Sequence, residues 1–417
     1  MVRGDGSIMT DAQLLALGHS AMANAHGLIL AGGALGVLSI LAGLLFRRIG
    51  APVLLVFLAL GILASDDGIG GIAFDNFAAA YLIGSVALAV ILFQGGLTTP
   101  PAIFRLAFWP AAILATVGVA LTAGIVGGAI ALLTAAPLAG ALLAGSAAAP
   151  TDAAAVAVLL RRAGVVLPER LSALLEVESG LNDPMSIFLT ILLVHVIADP
   201  AWISVGHMAW LFVEEMAGGA VLGLGGGWLL AWGLRRLPIE ASLATVLALT
   251  GALALFGLAQ LLGASGFLAV YLAGVVTGAA VPQRREDLQR FFDGVAWLSQ
   301  IVLFLMLGLL ISLPTLPPYF GPAIAATAVL IFIARPVAVF ACLLPFRFSF
   351  RETAFASWVG LRGAVPIYLS FLPALADPQR DTEFFAAIFM LVVVSLIVQG
   401  WTVGPAARLL GFRDAPR

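Results

Sequence analysis

The segment ESGLNDP, residues 178–184, places Glu178, Asn182 and Asp183 inside the apolar stretch LSALLEVESGLNDPMSIFLTILLVHVIA. Three more charges interrupt apolar sequence in the same way: Asp152 in GSAAAPTDAAAVAVLL, Arg335 in FIARPVAV and Arg362 in WVGLRGAVPIYLSFLPA. An ionisable side chain at the centre of a bilayer costs roughly 3 kcal/mol or more, so each of these is a functional candidate. Carboxylates held in such a place can exchange a bound proton for a bound cation. Buried arginines stay protonated and need a permanent counter-ion.

The neighbours of these charges sharpen the reading. Pro150 breaks the helical hydrogen-bond ladder just before Asp152. The small residues around it let other backbones approach. Broken backbone at membrane depth is tolerated where it lines a cavity or is buried in protein. Freed carbonyls beside a carboxylate make an oxygen-rich cation site; the plainer alternative is a proline kink with Asp152 capping the second half-helix. Gly360, Gly363 and Pro366 interrupt the sequence around Arg362 in the same manner. On a helix, Ser179 and Asp183 share one face and Glu178 and Asn182 share another. Asp183 is therefore expected to point toward Asp152 and Glu178 toward Arg362. The Glu178–Arg362 pair is read as a structural salt bridge that carries no ion. For Asp183 the plainer alternative is a polar patch sealed by helix packing. Arg335, next to Pro336, is either a second buried charge or one that snorkels to the cytoplasmic side.

The elements that must position these residues are transmembrane helices. The chain of 417 residues is 62% hydrophobic and 10% charged, against about 25% charged in soluble domains. It cannot cover a soluble surface with polar groups. Its long apolar runs give an all-α polytopic membrane protein with about thirteen spans. They fall at 28–46, 51–64, 77–97, 106–133, 137–161, 170–198, 208–234, 241–261, 264–281, 290–312, 320–344, 351–376 and 384–409. The short alternating segments of a membrane β-barrel are missing.

Every basic residue is an arginine. With the N-terminus outside, sixteen arginines fall in cytoplasmic segments, only Arg3 and Arg380 fall outside, and Arg335 and Arg362 lie within spans. That asymmetry gives N-outside, C-inside and an odd number of spans. Residues 1–27 are expected to be an external segment without a cleavable signal peptide. Residues 412–417 are expected to be a cytoplasmic end, with no regulatory domain within this sequence. The two interrupted spans are the fifth of spans 1–6 and the fifth of spans 8–13. Matching broken helices suggest inverted repeats, about 28–198 and 241–409, linked by the helix at 208–234, with a site between them at the midplane.

The other candidates carry less. Cys342 stands alone in an apolar run and reads as packing. His19, His26, His195 and His207 show no metal-ligand spacing, and no cofactor is expected. The glycine-rich run at 222–230 lies in an apolar span with no strand before it, so it reads as close helix packing and not as a nucleotide loop. Glu214 and Glu215 are expected near the outer end of their span, in water.

APTDAAAV, VESGLNDPMSIFLT and GLRGAVPIYLS resemble, in this order, the signatures of the cation:proton antiporter-1 family of NhaP-type exchangers. Their wording is most similar to the cell-volume-regulation branch, the CvrA-like potassium/proton antiporters. The resemblance covers nearly the whole chain. It implies that Asp183 is the essential carboxylate for proton and cation. Thr151 and Asp152 would belong to an unwound crossing of two discontinuous helices, Ser179 would supply a hydroxyl ligand, and Glu178 with Arg362 would form the buried pair. Electrogenic relatives carry a second aspartate where Asn182 stands and use a lysine that this chain lacks, so the resemblance implies electroneutral exchange. One departure is at Gln94, in ILFQGG, where the branch usually has an acid; an amide can coordinate a cation but brings no charge. The other is length, because many members carry cytosolic regulatory domains after the membrane part.

The expected protein is thus an antiporter exchanging K+ or Na+ for protons, not an enzyme. It is placed in the bilayer of a bacterial cytoplasmic membrane as a homodimer, with roles in pH homeostasis and cell volume regulation and no nucleic-acid partner. Two other classes fit less well. A cation channel would need a continuous pore, and no filter-like repeated loop is present. A membrane-embedded hydrolase would need a base to activate Ser179, and no histidine or lysine is placed for it.

Overall fold

The computed structural model describes residues 11–46, 52–199, 204–376 and 381–412. The expected external segment before residue 11, and Arg3, Arg47, Arg48, Asp377, Arg380, Arg413 and Arg417, lie outside the described residues. Among the described residues, helices account for nearly everything, and β-pairing appears only as isolated bridge positions such as Ser65 with Ile72. Among the described residues, eight helical stretches are long and apolar enough to cross a membrane, and shorter apolar helices precede them or lie between them.

In chain order the helices are α1 (Asp11–Phe46), α2 (Val53–Ala64), α3 (Phe77–Thr98), α4 (Pro101–Ile113), α5 (Val119–Thr134), α6 (Leu138–Ala147), α7 (Ala153–Ala163), α8 (Glu169–Ala198) and α9 (Val205–Arg236). They continue as α10 (Ala241–Leu261), α11 (Gly266–Ala280), α12 (Arg285–Leu309), α13 (Pro317–Val329), α14 (Arg335–Leu343), α15 (Phe350–Trp358), α16 (Ala364–Leu369), α17 (Phe371–Ala376) and α18 (Asp381–Leu409). The first helix starts at Asp11, so much of the expected N-terminal segment is continuous with the first span.

Sequence dictates many of the boundaries. Asn76 accepts from the Ala79 N–H to start α3, and Ser265 from the Leu268 N–H to start α11. Ser349 and Glu352 form a reciprocal capping box at α15, satisfying donors the helix itself leaves open. Two π-helical turns, Leu114–Gly118 between α4 and α5 and Leu330–Ala334 between α13 and α14, shift the register of long helices. π-turns of this kind recur at functional sites. The second one delivers Arg335 into the protein.

The helices pack as two groups. In one, α3 lies along α11 and α12, α2 on α12, and α9 on α11. Gly223 and Gly227 of α9 sit on the backbone of Ala269 and Ala273, where a Cβ would overlap main-chain atoms; the glycine-rich run is a packing stripe. In the other group, α5 packs on α6, α6 and α4 on α8, and α13 on α18. Trp210, Trp228, Leu258 and Phe332 point outward, while Glu178, Asn182, Arg335 and Arg362 are buried. That inversion of the soluble pattern is what a hydrocarbon solvent selects.

Candidate cation site

Two helices of the second group are broken where proline and glycine interrupt the sequence. The first break, Ala148–Asp152, separates α6 from α7; the second, Val359–Gly363, separates α15 from α16. The breaks touch: the Asp152 N–H donates to the Leu361 carbonyl at 2.8 Å. Gly363 lies directly against Asp152, and a Cβ there would meet the Asp152 carboxylate at 2.5 Å. Pro366 lies in the first turn of α16, where its missing N–H leaves no helical bond unmade, so the break itself ends at Gly363.

α8 closes the site from the side. Ser179 Oγ donates to the Thr151 carbonyl at 2.9 Å and accepts from the Ala153 N–H at 3.2 Å. Asn182 Nδ2 donates to Thr151 Oγ1 at 2.7 Å and more weakly to Glu178 Oε1 at 3.4 Å. Asn182 is thus a donor that fixes the break. Asp152 Oδ1 accepts from the Ala155 N–H at 2.9 Å. The capping role weighed against a cation role is therefore filled, yet Asp152 also lines the cavity described below. Asp183 follows on the same face of α8 as Ser179. Pro184 comes next, inside the helix, and has no N–H to give to the Gly180 carbonyl one turn back. That leaves an additional oxygen beside the Asp183 carboxylate.

A cavity of about 720 Å³ brings these groups together. Asp152, Ser179, Gly180 and Asp183 line it from α7 and α8, and Gln94 and Asp293 line it from α3 and α12. Of the residues expected to bind the ion, Asp183, Asp152, Thr151, Ser179 and Gln94 all line this one space, and Asn182 holds Thr151 from behind. Arg161 and Arg162, at the far end of α7, line the same space. Two residues past Pro366, which also lines this space, α16 enters a cluster of aromatic rings. Tyr368 stacks on Tyr81 with centroids 5.4 Å apart, and Phe267 and Phe371 meet Tyr368 edge-on.

The expected pairing of Glu178 with Arg362 is corrected. Glu178 is paired with Arg335, Oε1 to Nη1 at 2.7 Å and Oε2 to Nη2 at 2.8 Å, and both side chains are almost fully buried, at 1% and 3% exposure. This fork-to-carboxylate geometry is the strong form of the contact. Gly360 makes room for it, since a Cβ there would lie 3.1 Å from Arg335 Nε. Arg362 turns the other way. Its Nη1 donates to the Ala149 carbonyl and to the Pro150 carbonyl, the latter at 2.8 Å. It thus serves two carbonyls of the first break, just past the C-terminal end of α6, where a helix favours positive charge. Its backbone N–H donates to Ser395 Oγ, which donates to Gln399 Oε1, whose amide caps the Trp358 carbonyl at the end of α15. The question of whether Arg335 snorkels is thereby answered by burial.

Sequence reasoning passed over two residues. Asp293 of α12 lies in the cavity and accepts from Gln94 Nε2 at 2.7 Å. Glu176 of α8 lines the same space and accepts from Thr99 Oγ1 at 2.6 Å. The signal was present for both, as acids within apolar spans at FFDGVAWLSQIV and LLEVESG, but each lay close enough to a loop to read as solvated.

A helical membrane protein with buried carboxylates in a cavity between two helix groups has the build of a secondary transporter. The family model described as sodium/hydrogen exchanger, transmembrane, matches residues 36–409. The chain belongs to that sodium/hydrogen exchanger family, whose members are antiporters and not enzymes. It is 44% identical over 382 residues to the K(+)/H(+) antiporter NhaP of Alkalimonas amylolytica, a match covering 92% of this chain and 66% of that protein. It is also 44% identical over 395 residues to the K(+)/H(+) antiporter NhaP2 of Shewanella sp. strain ANA-3, covering 94% and 68%. The chain thus spans about two thirds of the length of these relatives. Among solved structures, the sodium proton antiporter MjNhaP1 of Methanocaldococcus jannaschii superimposes with a TM-score of 0.77 at 24% identity, covering 92% of this chain and 99% of that one. That likeness is one of fold.

Proposed function

We propose that this chain exchanges one monovalent cation for one proton across a bacterial cytoplasmic membrane, with Asp183 as the shared carrier. The observation that carries this reading is the meeting of Asp183, Asp152 and the oxygens of the first break in one cavity. An empty carboxylate moved through a water-poor barrier would bear its full desolvation cost. Asp183 therefore crosses with a proton or with a cation, and this couples the two fluxes. Each unit of pH difference then supplies about 1.4 kcal/mol, equal to a tenfold cation gradient.

The proposed architecture has thirteen spans, the N-terminus outside, and two inverted repeats whose broken helices cross at Asp152 and Leu361. A second kind of irregularity supports the repeats. The π-turns at Leu114–Gly118 and Leu330–Ala334 fall in the fourth span of each half, just as the breaks fall in the fifth. Arginine placement supports a cytoplasmic Arg161–Arg162 end of the cavity, which we read as an inward-facing state. Alternating access is the rocking of the group holding the breaks against the group of α2, α3 and α9–α12. A channel would need a path open to both faces; we read the ring cluster around Tyr368 as the closed side, which favours a transporter.

Electroneutral exchange is supported by Asn182, whose amide is spent on Thr151 and Glu178 and brings no second charge. Potassium is favoured because both relatives at 44% identity are named K(+)/H(+) antiporters. Sodium is the alternative cation, named for the more distant structural match. Assembly as a homodimer, and roles in pH homeostasis and cell volume regulation, belong to the same proposal. The test uses purified protein in liposomes with an internal pH dye and an imposed acid-inside gradient. Potassium should collapse that gradient with the membrane potential clamped or free, and choline should not. No response to potassium, sodium or lithium would overturn the reading.

A further inference from the structure

Facing Asp183 across the cavity is a wall made of α3 and α12. Most of what α3 and α12 present to the cavity is apolar, from Leu88 and Ile91 to Phe304. On that wall Gln94 and Asp293 come from residues 199 apart in sequence and meet at 2.7 Å. Gln94 Nε2 is the donor, so the amide fixes one oxygen of Asp293. This leaves the Gln94 carbonyl oxygen and the second Asp293 oxygen as a pair of acceptors. Both residues line the space that Asp152 and Asp183 line, and Asp293 is exposed within it. A carboxylate steered by an amide and exposed within the cavity has no packing to support. Its geometry suits a partly dehydrated monovalent cation that needs several oxygens at once.

We propose that Asp293, held by Gln94, is the capture carboxylate of this cavity. It receives the transported cation on the cytoplasmic side, hands it to Asp183, and sets the apparent affinity without taking part in proton exchange. The inference rests on the antiport reading above. It sits on the helix group opposite the carrier, so its influence falls on cation loading more than on the movement that follows.

The test is cation-dependent dequenching in proteoliposomes over a potassium concentration series, for the wild type, Asp293→Asn, Asp293→Glu, Gln94→Ala and the exchanged pair Gln94→Asp/Asp293→Asn. Asp293→Asn should raise the half-saturating potassium concentration about tenfold, the order expected from neutralising one carboxylate near a partly hydrated ion, and should leave the maximal rate within about twofold. Asp293→Glu should restore most of the affinity. The exchanged pair, which moves the carboxylate from α12 to α3, should recover it to within about threefold of wild type. Gln94→Ala keeps the charge and should change affinity by about threefold or less. An unchanged half-saturation in Asp293→Asn would overturn the inference. So would a fall in maximal rate alone that Asp293→Glu does not rescue. If the wild type itself moves no protons in response to any cation, the antiport reading fails first; if it does and the variants match it, only this inference fails.

Discussion

The two helix breaks are built alike and charged oppositely. Each interrupts a helix of the same group, and they share a backbone hydrogen bond from Asp152 to Leu361. The first carries a carboxylate, and Asp152 lines the cavity. The second carries Arg362, which is 0% exposed and is occupied by the carbonyls of Ala149 and Pro150. The difference separates chemistry from support. The acidic break offers its carboxylate to the cavity, whereas the basic break lends the cavity only Leu361 and Gly363 and keeps the Arg362 side chain buried against carbonyls of the first break. Gly363 lets the two sit in contact, since any side chain there would enter the Asp152 carboxylate.

The sharpest way to break this comparison is at the carrier. Asp183→Asn should reduce exchange to background in proteoliposomes while the protein still elutes as a folded species on size exclusion, because an amide carries neither the proton nor the charge. Retained cation-dependent proton movement in that variant would remove the acidic break and its neighbour from the mechanism.

The next largest effect concerns support. Arg335→Ala strands the Glu178 carboxylate in the protein interior, and breaking a buried pair from one side costs roughly 3–5 kcal/mol. A strong fall in thermal stability in detergent is expected, and Glu178→Gln/Arg335→Gln together should recover part of it. Arg362→Ala strands neutral carbonyls instead, at about 1–3 kcal/mol. If Arg362→Ala proves the more destabilising of the two, the assignment of Glu178 to Arg335 is wrong.

That assignment also marks how far the sequence reaches. The helices were legible because apolar runs and arginine-rich loops follow directly from the cost of polar groups in hydrocarbon. The breaks were legible because Pro150 and Gly363 act on their own backbone. Gln94, Asp152 and Asp183 were legible as polar residues in apolar spans. The choice between Arg335 and Arg362 was not, because both lie far from Glu178 in the chain and both follow apolar runs. What decides it is the π-turn at Leu330–Ala334, which ends at Arg335, together with the absence of a side chain at Gly360. Neither leaves a pattern in residue types. The Gln94–Asp293 contact was hidden for the same reason: it depends on how α3 lies along α12.

The smallest expected effect tests the blocked side of the second break. Just beyond Arg362, Tyr368 of α16 reaches the other helix group, where its hydroxyl meets Ser85 Oγ of α3 at 2.8 Å. The Ser85 hydroxyl donates to the Tyr81 carbonyl, so the Tyr368 O–H is the donor in that contact. Gly84 accepts the tyrosine ring, and a Cβ there would come within 2.7 Å of it. This bond must break if the two groups rock apart to open the opposite face. Tyr368→Phe removes the bond and keeps the ring stack, and one neutral hydrogen bond is worth about 0.5–1.5 kcal/mol. The population facing outward should therefore rise by roughly threefold to tenfold, with little change in thermal stability. The measurement is labelling of a single cysteine placed at Ala87, a buried residue of α3 outside the Tyr368–Tyr81–Ser85 contact, by a membrane-impermeant thiol reagent, in a background where Cys342 is replaced by alanine. Faster labelling in Tyr368→Phe, with exchange still present, would show that the stacked rings close a path that opens during transport. Equal labelling rates would mean that the two groups separate elsewhere, and the contrast between an open acidic side and a latched aromatic side would lose its mechanical meaning.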